Sequence, residues 1–214
     1  MNSRLSSPLF WGAHSPLSAL TGAGLIVMAS SRFSFALLCA AALLWVYGFT
    51  ALVFSAAAPI MPKRGKAVIL LFLSAFVGGI FMLLASLLDP LLILTAAFFL
   101  VLIPPCCLGS GLIQASESHS TVEVLSRSLL EALVLSGIIL AIALIREPLG
   151  MGTLSVPGGV QGVIEIFDIG RDDAFIPIRF LSASAGGLLL LGYAVALFRH
   201  LREQGGNTPA EDSP

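Results

Sequence analysis

The chain has 214 residues, of which 57% are hydrophobic and 11% are charged, whereas a soluble domain has roughly 25% charged residues. Its mean hydropathy is +0.99, and its formal net charge is −1. So few charges cannot cover a water-soluble fold of this size, which excludes a soluble enzyme and a disordered chain. The balance of acidic and basic residues excludes a basic nucleic-acid-binding face. These properties predict one integral membrane unit.

The charged residues delimit six apolar stretches. No Asp, Glu, Lys or Arg occurs in 5–31, 33–62, 67–88, 90–116, 132–145 or 180–198. A membrane helix needs about 20 mostly apolar residues, and the stretches are continuous rather than alternating, which favours helices over strands. We therefore predict an all-α membrane protein with six transmembrane helices, at about 16–30, 34–58, 67–88, 91–115, 126–145 and 177–199.

The loops and the tail indicate the orientation. Seven Lys and Arg residues lie on the side of both termini and four on the other side, so the positive-inside rule places both termini in the cytoplasm of a bacterial inner membrane. The longest connection, about 147–176, contains the amphipathic segment VQGVIEIF and predicts a loop on, or dipping into, the non-cytoplasmic surface. Residues 1–202 read as a single membrane domain and 203–214 as a disordered cytoplasmic tail.

Two of the predicted spans contain sequences that interrupt a helix. The first opens with small and polar residues around Pro16, and the fourth contains Pro104 and Pro105. Proline removes a backbone donor and clashes with the preceding turn, so a continuous fourth helix is not expected. The alternative is that Pro and Gly only kink packed helices.

The two interrupted spans each open one half of the chain, about 12–88 and about 90–200. An odd number of spans per half gives the halves opposite orientations, so we predict two inverted three-helix repeats. Interrupted backbone at membrane depth persists only where protein or water satisfies its polar groups. A midplane site is therefore expected between the breaks at about 12–18 and 103–111.

Three cysteines are candidates for chemistry. Cys39 lies in a plain apolar run and is expected to be an ordinary buried thiol. Cys106 and Cys107 follow the two prolines, and a thiolate in lipid is costly unless a metal takes its charge. They are therefore candidate ligands, with a packing role as the alternative. An iron–sulfur cluster needs about four ligands, so a cluster here requires a second subunit.

The segment that closes the fifth span resembles a known family. Ile145 to Leu154 reads IREPLGMGTL and is similar to the R-E-x-x-G-x-G-T-L motif of the E subunit of Rnf and the D subunit of Nqr. The residues that match are Arg146, Glu147, Gly150, Gly152 and Thr153. The last span, 180–202, is similar to the family's last helix, and 103–115 resembles its I-P-L-x-x-T-N-C-x-x-x-G segment with Cys107 on the Cys.

This resemblance implies a non-catalytic membrane subunit of an ion-translocating oxidoreductase. Rnf passes electrons between ferredoxin and NAD, and Nqr passes them from NADH to quinone, each coupled to Na⁺ or H⁺ movement. The implied partners are the lipid bilayer, other membrane subunits, and subunits that carry flavins and iron–sulfur clusters. In this family two related subunits hold a 2Fe–2S cluster within the membrane, each giving one Cys from its first broken helix and one from its fourth.

Cys107 matches the second of these family cysteines, whereas the first has no counterpart. The family's G-L-C-P motif is met here by Gly12-Ala13-His14-Ser15-Pro16. Three accounts follow: His14 replaces the Cys, as histidine does in Rieske centres; Cys106 and Cys107 both serve; or the cluster site is altered and the chain keeps a structural role.

Two functions without a cluster are the alternatives to this interpretation. The first is a small inverted-repeat secondary transporter, which the missing cysteine favours, and the second is a non-redox scaffold for partner subunits.

Adjacent residues of a helix do not face each other, so Arg146 and Glu147 are expected to have separate partners. We expect a snorkelling Arg and a loop-capping Glu, with helix anchoring near an ion or electron path as the alternative.

Overall fold

Most of the chain is helical. The computed structural model describes residues 16–57, 60–61, 65–110, 112–113, 121–158, 163–168 and 179–205. Four helical segments in these ranges are long and apolar enough to cross a membrane, namely Phe33–Ala57, Lys66–Leu88, Pro90–Gly109 and Thr121–Met151. Together they fit a membrane-embedded protein.

The elements follow one another in a simple order. The first six helices are α1 (Pro16–Ala29), α2 (Phe33–Ala57), α3 (Lys66–Leu88), α4 (Pro90–Leu100), α5 (Ile103–Gly109) and α6 (Thr121–Met151). An antiparallel hairpin and two helices come next: β1 (Thr153–Pro157), β2 (Val163–Asp168), α7 (Arg179–Ser182) and α8 (Ser184–Gly205). The first three helices confirm the predicted helical segments to within one residue at each end.

The fourth span is interrupted earlier than its prolines predict. Val101 and Leu102 separate α4 from α5, and the Leu102 N–H bonds to the Phe99 carbonyl at 3.0 Å instead of the carbonyl four residues back. Pro104 then lies in the first turn of α5, where a missing N–H leaves no intrahelical bond unmade. The interruption is therefore a short bend, after which the chain resumes a helix.

The two predicted breaks are corrected accordingly. Residues 103–109 are helical, so a break over 103–111 is wrong for that part, and Gly111 lies outside the described residues. Residues 16–18 are also helical and belong to α1, while the rest of the break predicted at 12–18 lies outside the described residues. Proline explains both corrections, because it begins a helix more readily than it interrupts one.

The fifth helix is longer than predicted. α6 continues through Pro148 to Met151, whereas the sequence predicted an end near residue 145. Pro148 is tolerated because it lies in the last turn of the helix, where it leaves one carbonyl without its donor. The turn closes when the Gly152 N–H bonds to the Pro148 carbonyl at 2.9 Å.

The loop expected over 147–176 is also wrong in part. Its first residues complete α6, and VIEIF forms most of β2, because β-branched and aromatic residues suit a pleated strand. The sixth span holds an interruption that the sequence did not predict, at Ala183 between α7 and α8. α8 extends to Gly205, so residues 203–205 are helical rather than disordered, and 206–214 lie outside the described residues.

The two longest helices, α2 and α6, pack against each other at the centre of the structure. Small residues bring them close: a Cβ added at Gly48 would meet a methyl group of Leu129 at 3.3 Å. The Ser136 hydroxyl of α6 also donates to the Ala40 carbonyl of α2 at 3.5 Å. The larger apolar core surrounds this contact and includes residues of α1, α4 and α5. α3 instead buries only Lys66, Leu70, Ser74 and Val77 of its 23 residues, as a lipid-facing helix does.

Candidate functional site

Arg146 is buried near the end of α6, with 2% of its surface exposed. One terminal nitrogen, Nη1, donates to the Val27 carbonyl at 2.6 Å and to the Ser30 hydroxyl at 3.1 Å. Val27 lies in the last turn of α1, where carbonyls have no intrahelical donor. The guanidinium therefore caps the C-terminus of α1, where a positive charge also complements the helix dipole.

The other two nitrogens of Arg146 bind the interruption between α7 and α8. Nε donates to the Leu181 carbonyl at 2.8 Å, and Nη2 donates to the carbonyls of Ser182 and Ala183 at 2.9 and 3.0 Å. A guanidinium has five N–H groups, and each has an acceptor here. The expected snorkelling Arg is wrong, because the side chain stays inside and donates to backbone carbonyls. It gives the Leu181 and Ser182 carbonyls a donor, whereas the Val27 carbonyl also accepts from the Ser30 hydroxyl and the Ala183 carbonyl from the Gly187 N–H.

Glu147 is 1% exposed and binds the N-terminus of α2. Its Oε2 accepts from the backbone N–H of Phe33, the first residue of α2, at 2.6 Å. The following N–H, on Ser34, donates to the Ser155 hydroxyl of β1 at 3.4 Å, and the two serine hydroxyls bond at 3.2 Å. A carboxylate at a helix N-terminus satisfies a free donor and complements the dipole. The separate partners expected for Arg146 and Glu147 are confirmed, and the loop-capping role of Glu147 is corrected to helix capping.

The glycines of the motif are required by close contacts. A Cβ added at Gly150 would lie 2.9 Å from the Ser182 backbone nitrogen, so glycine lets α7 approach α6. Gly152 has φ +72°, a left-handed conformation that favours glycine, and it turns the chain from α6 into β1. Thr153 begins β1 and pairs with Asp168 of β2. At Gly187 of α8, a Cβ would lie 2.9 Å from Arg146 Nη1.

These contacts form one assembly, which we call the Arg146–Glu147 clamp. It comprises the two named side chains and the groups that they bind, in Val27, Ser30, Phe33 and 181–183. The turn between α1 and α2 is held from both ends, since Arg146 caps the helix before it and Glu147 caps the helix after it. Sequence reasoning found the residues but not their partners, because nothing local indicates that the helix is interrupted at Ala183.

Removing the Glu147 carboxylate is expected to destabilise the fold. Glu147→Ala leaves the Phe33 N–H without its acceptor and should cost about 1–3 kcal/mol, whereas Glu147→Gln keeps an oxygen acceptor and should cost less. Thermal unfolding of the purified chain in detergent measures the difference. Glu165→Ala, at an exposed position of β2, is the control and should match wild type. An alanine variant at 147 as stable as wild type would contradict the capping role.

The thiols of Cys106 and Cys107 lie in a different part of the structure. Both belong to the larger apolar core, at 6% and 0% exposure, as does Cys39. The Cys106 thiol lies beside Thr21 of α1, and the Cys107 thiol lies beside the Tyr47 hydroxyl of α2. The two neighbouring cysteines therefore face different helices. All three cysteines are free thiols, which agrees with the packing role expected for Cys39.

The fit of a 2Fe–2S cluster can be judged from this arrangement. A cluster held jointly with another subunit needs thiols that reach the subunit surface and converge on one point. Cys106 and Cys107 are enclosed by their own chain, so in this arrangement their thiols do not reach a surface at which a second subunit could share the group. Across the described ranges, no three His, Cys, Asp or Glu side chains come together in a metal-binding group. His14 lies outside the described residues, so its predicted role as a ligand stays a prediction.

Comparisons of the chain with models of protein families, with curated proteins and with solved structures find no match.

Proposed function

We propose that this chain is a membrane subunit of an ion-translocating electron-transport complex of the Rnf or Nqr type. In such a complex electron flow drives Na⁺ or H⁺ across the membrane, and this subunit does no chemistry on an organic substrate itself. Its partners are the other membrane subunits and the subunits that carry flavins and iron–sulfur clusters. The proposal rests on the Arg146–Glu147 clamp together with the sequence motif that contains it.

The clamp supports the proposal because it gives four of the five matching motif residues a specific structural reason. Arg146 and Glu147 each cap a helix, Gly150 permits a close backbone approach, and Gly152 adopts a left-handed turn. Residue types constrained in this way are shared by chains that share a backbone arrangement. The match to R-E-x-x-G-x-G-T-L is therefore more specific than the same letters on a solvated surface would be.

The helix contacts support the proposed six-span inverted repeat. In one half α1, α2 and α3 follow in order, and in the other half α4 with α5, then α6, then α7 with α8. The central helices α2 and α6 pack together, α1 contacts α8, and α5 contacts α3. α1 also contacts α6 as α5 contacts α2. Exchanging the two halves converts each of these contacts into another, as a two-fold relation between inverted repeats requires.

The proposed orientation follows from the positive charges in the loops. With six spans, seven Lys and Arg residues lie on the side of both termini and four on the other, which favours cytoplasmic termini in a bacterial inner membrane. The clamp then lies on the non-cytoplasmic side, where α1 ends and α2 begins. Its role in the complex is to hold these ends and the α7–α8 interruption in a fixed arrangement against which partner subunits assemble.

Within this proposal, the enclosed thiols favour a subunit whose own role is structural, as a scaffold for its partners. A 2Fe–2S cluster ligated by Cys107 in the assembled complex is the finer proposal and requires α5 to turn its thiols outward. The second candidate function is a small inverted-repeat secondary transporter, favoured by the absence of a cysteine between Gly12 and Pro16.

Purification of the native membrane complex through a tag on this chain tests these proposals. We expect flavin-containing and iron–sulfur subunits to co-purify in mild detergent. Iron content and the EPR spectrum of the reduced complex are then compared between wild type and Cys107→Ser. With Cys107 enclosed, the serine variant should retain every iron signal of the wild-type complex.

Cys39→Ser is the matched control, because Cys39 is a free buried thiol of the same core. A 2Fe–2S signal lost in Cys107→Ser but kept in Cys39→Ser would establish the cluster proposal and refute the scaffold role. A chain that purifies without partner subunits and without iron would refute membership of a redox complex and leave the transporter.

A further inference from the structure

The β1–β2 hairpin has one side that faces the helices and one that faces away. Ser155 of β1 is fully buried and bonds to Ser34 at the start of α2. Successive residues of a strand point to opposite faces, so Val156 and its cross-strand partner Ile164 lie on the outer side. The register of the hairpin shifts between Leu154 and Ser155, opposite Ile166. Ile166 is exposed as well.

The outer side is apolar and unusually open. Ile164 is 42% exposed and Ile166 is 57% exposed. The end of α6 that precedes the hairpin is also apolar, with Leu144, Ile145 and Leu149 between 41% and 53% exposed. Only Gly152 separates α6 from β1, so the hairpin begins where a membrane-spanning helix ends.

The bonds to α2 set the level of the hairpin relative to the bilayer. Ser155 meets the first turn of α2, a helix of 25 residues that would span about 37 Å at 1.5 Å per residue. The hydrocarbon core is about 30 Å thick, so the first turn of such a helix lies in the interfacial layer. A two-stranded sheet also has unpaired backbone groups along its edges, which need the water of that layer.

We propose that the β1–β2 hairpin lies in the interfacial layer of the membrane, with Ile164 and Ile166 against lipid. The occupant of this face is lipid rather than a protein because two isoleucine side chains cover far less than the roughly 800 Å² per partner of a stable protein interface. The hairpin then anchors the end of the bundle at which the Arg146–Glu147 clamp lies. This inference does not depend on the proposed electron-transport function.

Spin labels on the full-length chain test the proposal in phosphatidylcholine nanodiscs. Ile164→Cys, Ile166→Cys and Glu165→Cys are labelled one at a time with a nitroxide, and Leu133→Cys on the exposed face of α6 is the lipid reference. The three native thiols are buried, so labelled wild-type chain is the blank. Power-saturation EPR compares collisions with oxygen, which enters lipid, and with a water-soluble nickel chelate.

We expect a shift toward oxygen at 164 and 166, in the direction of the label at 133. We expect dominant nickel access at 165, because Glu165 is exposed although its cross-strand partner Ser155 is buried. Nickel access at 164 and 166 equal to that at 165 would overturn the proposal in favour of a hairpin in water. Exclusion of both reagents at 164 and 166 would overturn it in favour of a protein that covers this face. Each labelled variant must elute from size-exclusion chromatography as the wild-type chain does. For a variant that does not, Ile164 or Ile166 is replaced by Trp, and quenching of the Trp fluorescence by bromolipids reports its contact with lipid.

Discussion

Arg146→Met is expected to be the most destabilising single substitution in the clamp. The methionine fills part of the volume but leaves the Leu181 and Ser182 carbonyls without their donor. The Val27 and Ala183 carbonyls keep a bond each, from the Ser30 hydroxyl and the Gly187 N–H. Each buried polar group left unpaired costs about 1–3 kcal/mol. For the two carbonyls we therefore expect a loss of about 2–6 kcal/mol, measured by thermal unfolding in detergent and by the yield of monodisperse protein.

Two further variants separate the geometry of this side chain from its charge. Arg146→Lys keeps the charge but has three N–H donors in place of five, so its stability should lie between Arg146→Met and wild type. Arg127→Met is the matched control, since Arg127 lies on the same helix and is exposed, and it should change stability little. If Arg146→Met and Arg127→Met unfolded at the same temperature, the buried hydrogen bonds would not be what holds α1 to the α7–α8 interruption.

Gly150→Ala should destabilise the protein although alanine is the better helix former. Within a helix the exchange alone favours alanine by about 1 kcal/mol. The added methyl, however, would lie 2.9 Å from the Ser182 nitrogen and 3.2 Å from its Cα, and backbone atoms cannot move aside as a flexible side chain can. Overpacking of this kind costs about 1–3 kcal/mol, and displacing α7 would also lengthen the bonds from Arg146 to 181–183. After the gain in helix propensity is subtracted, a net loss of about 1 kcal/mol is expected.

Gly137→Ala provides the control with the opposite sign. Gly137 lies in the same helix, and no atom lies within 4 Å of a Cβ built there, so only the helix propensity acts and stability should rise by about 0.5–1 kcal/mol. The unfolding midpoints of the two variants are compared in the same detergent. A stabilising Gly150→Ala would show that α7 does not approach α6 as closely as described.

The positions of the long helices could be predicted from the sequence because charge marks their ends. Every described long helix lies within or around a stretch predicted to be helical, and the bounds of α1, α2 and α3 agree to within one residue. The separate roles of Arg146 and Glu147 also followed, since neighbours on a helix face different directions. Predictions of this kind depend on composition and on the local period of the helix.

The remaining features depend on contacts between distant segments. The prediction that Arg146 snorkels assumed that its polar partners are water. Its partners are instead groups at the end of α1 and carbonyls beside the interruption at Ala183. That interruption contains no proline and so leaves no local signal. Pro104 and Pro148 do leave a signal, but a proline indicates an interruption only in the middle of a helix, and both lie near a helix end. The enclosure of Cys106 and Cys107 likewise depends on how α5 packs against α1 and α2.

The clamp also has a consequence for biosynthesis. Val27 precedes Arg146 by 119 residues, and Phe33 precedes Glu147 by 114. At roughly 5–20 residues per second, a ribosome needs about 6 to 24 seconds to make the intervening chain. The turn that is synthesised first is therefore completed late, only after α6 and then α7 have been made. A nascent chain halted before residue 146 keeps the end of α1 and the start of α2 uncapped. The turn between these helices would then be accessible to membrane proteases.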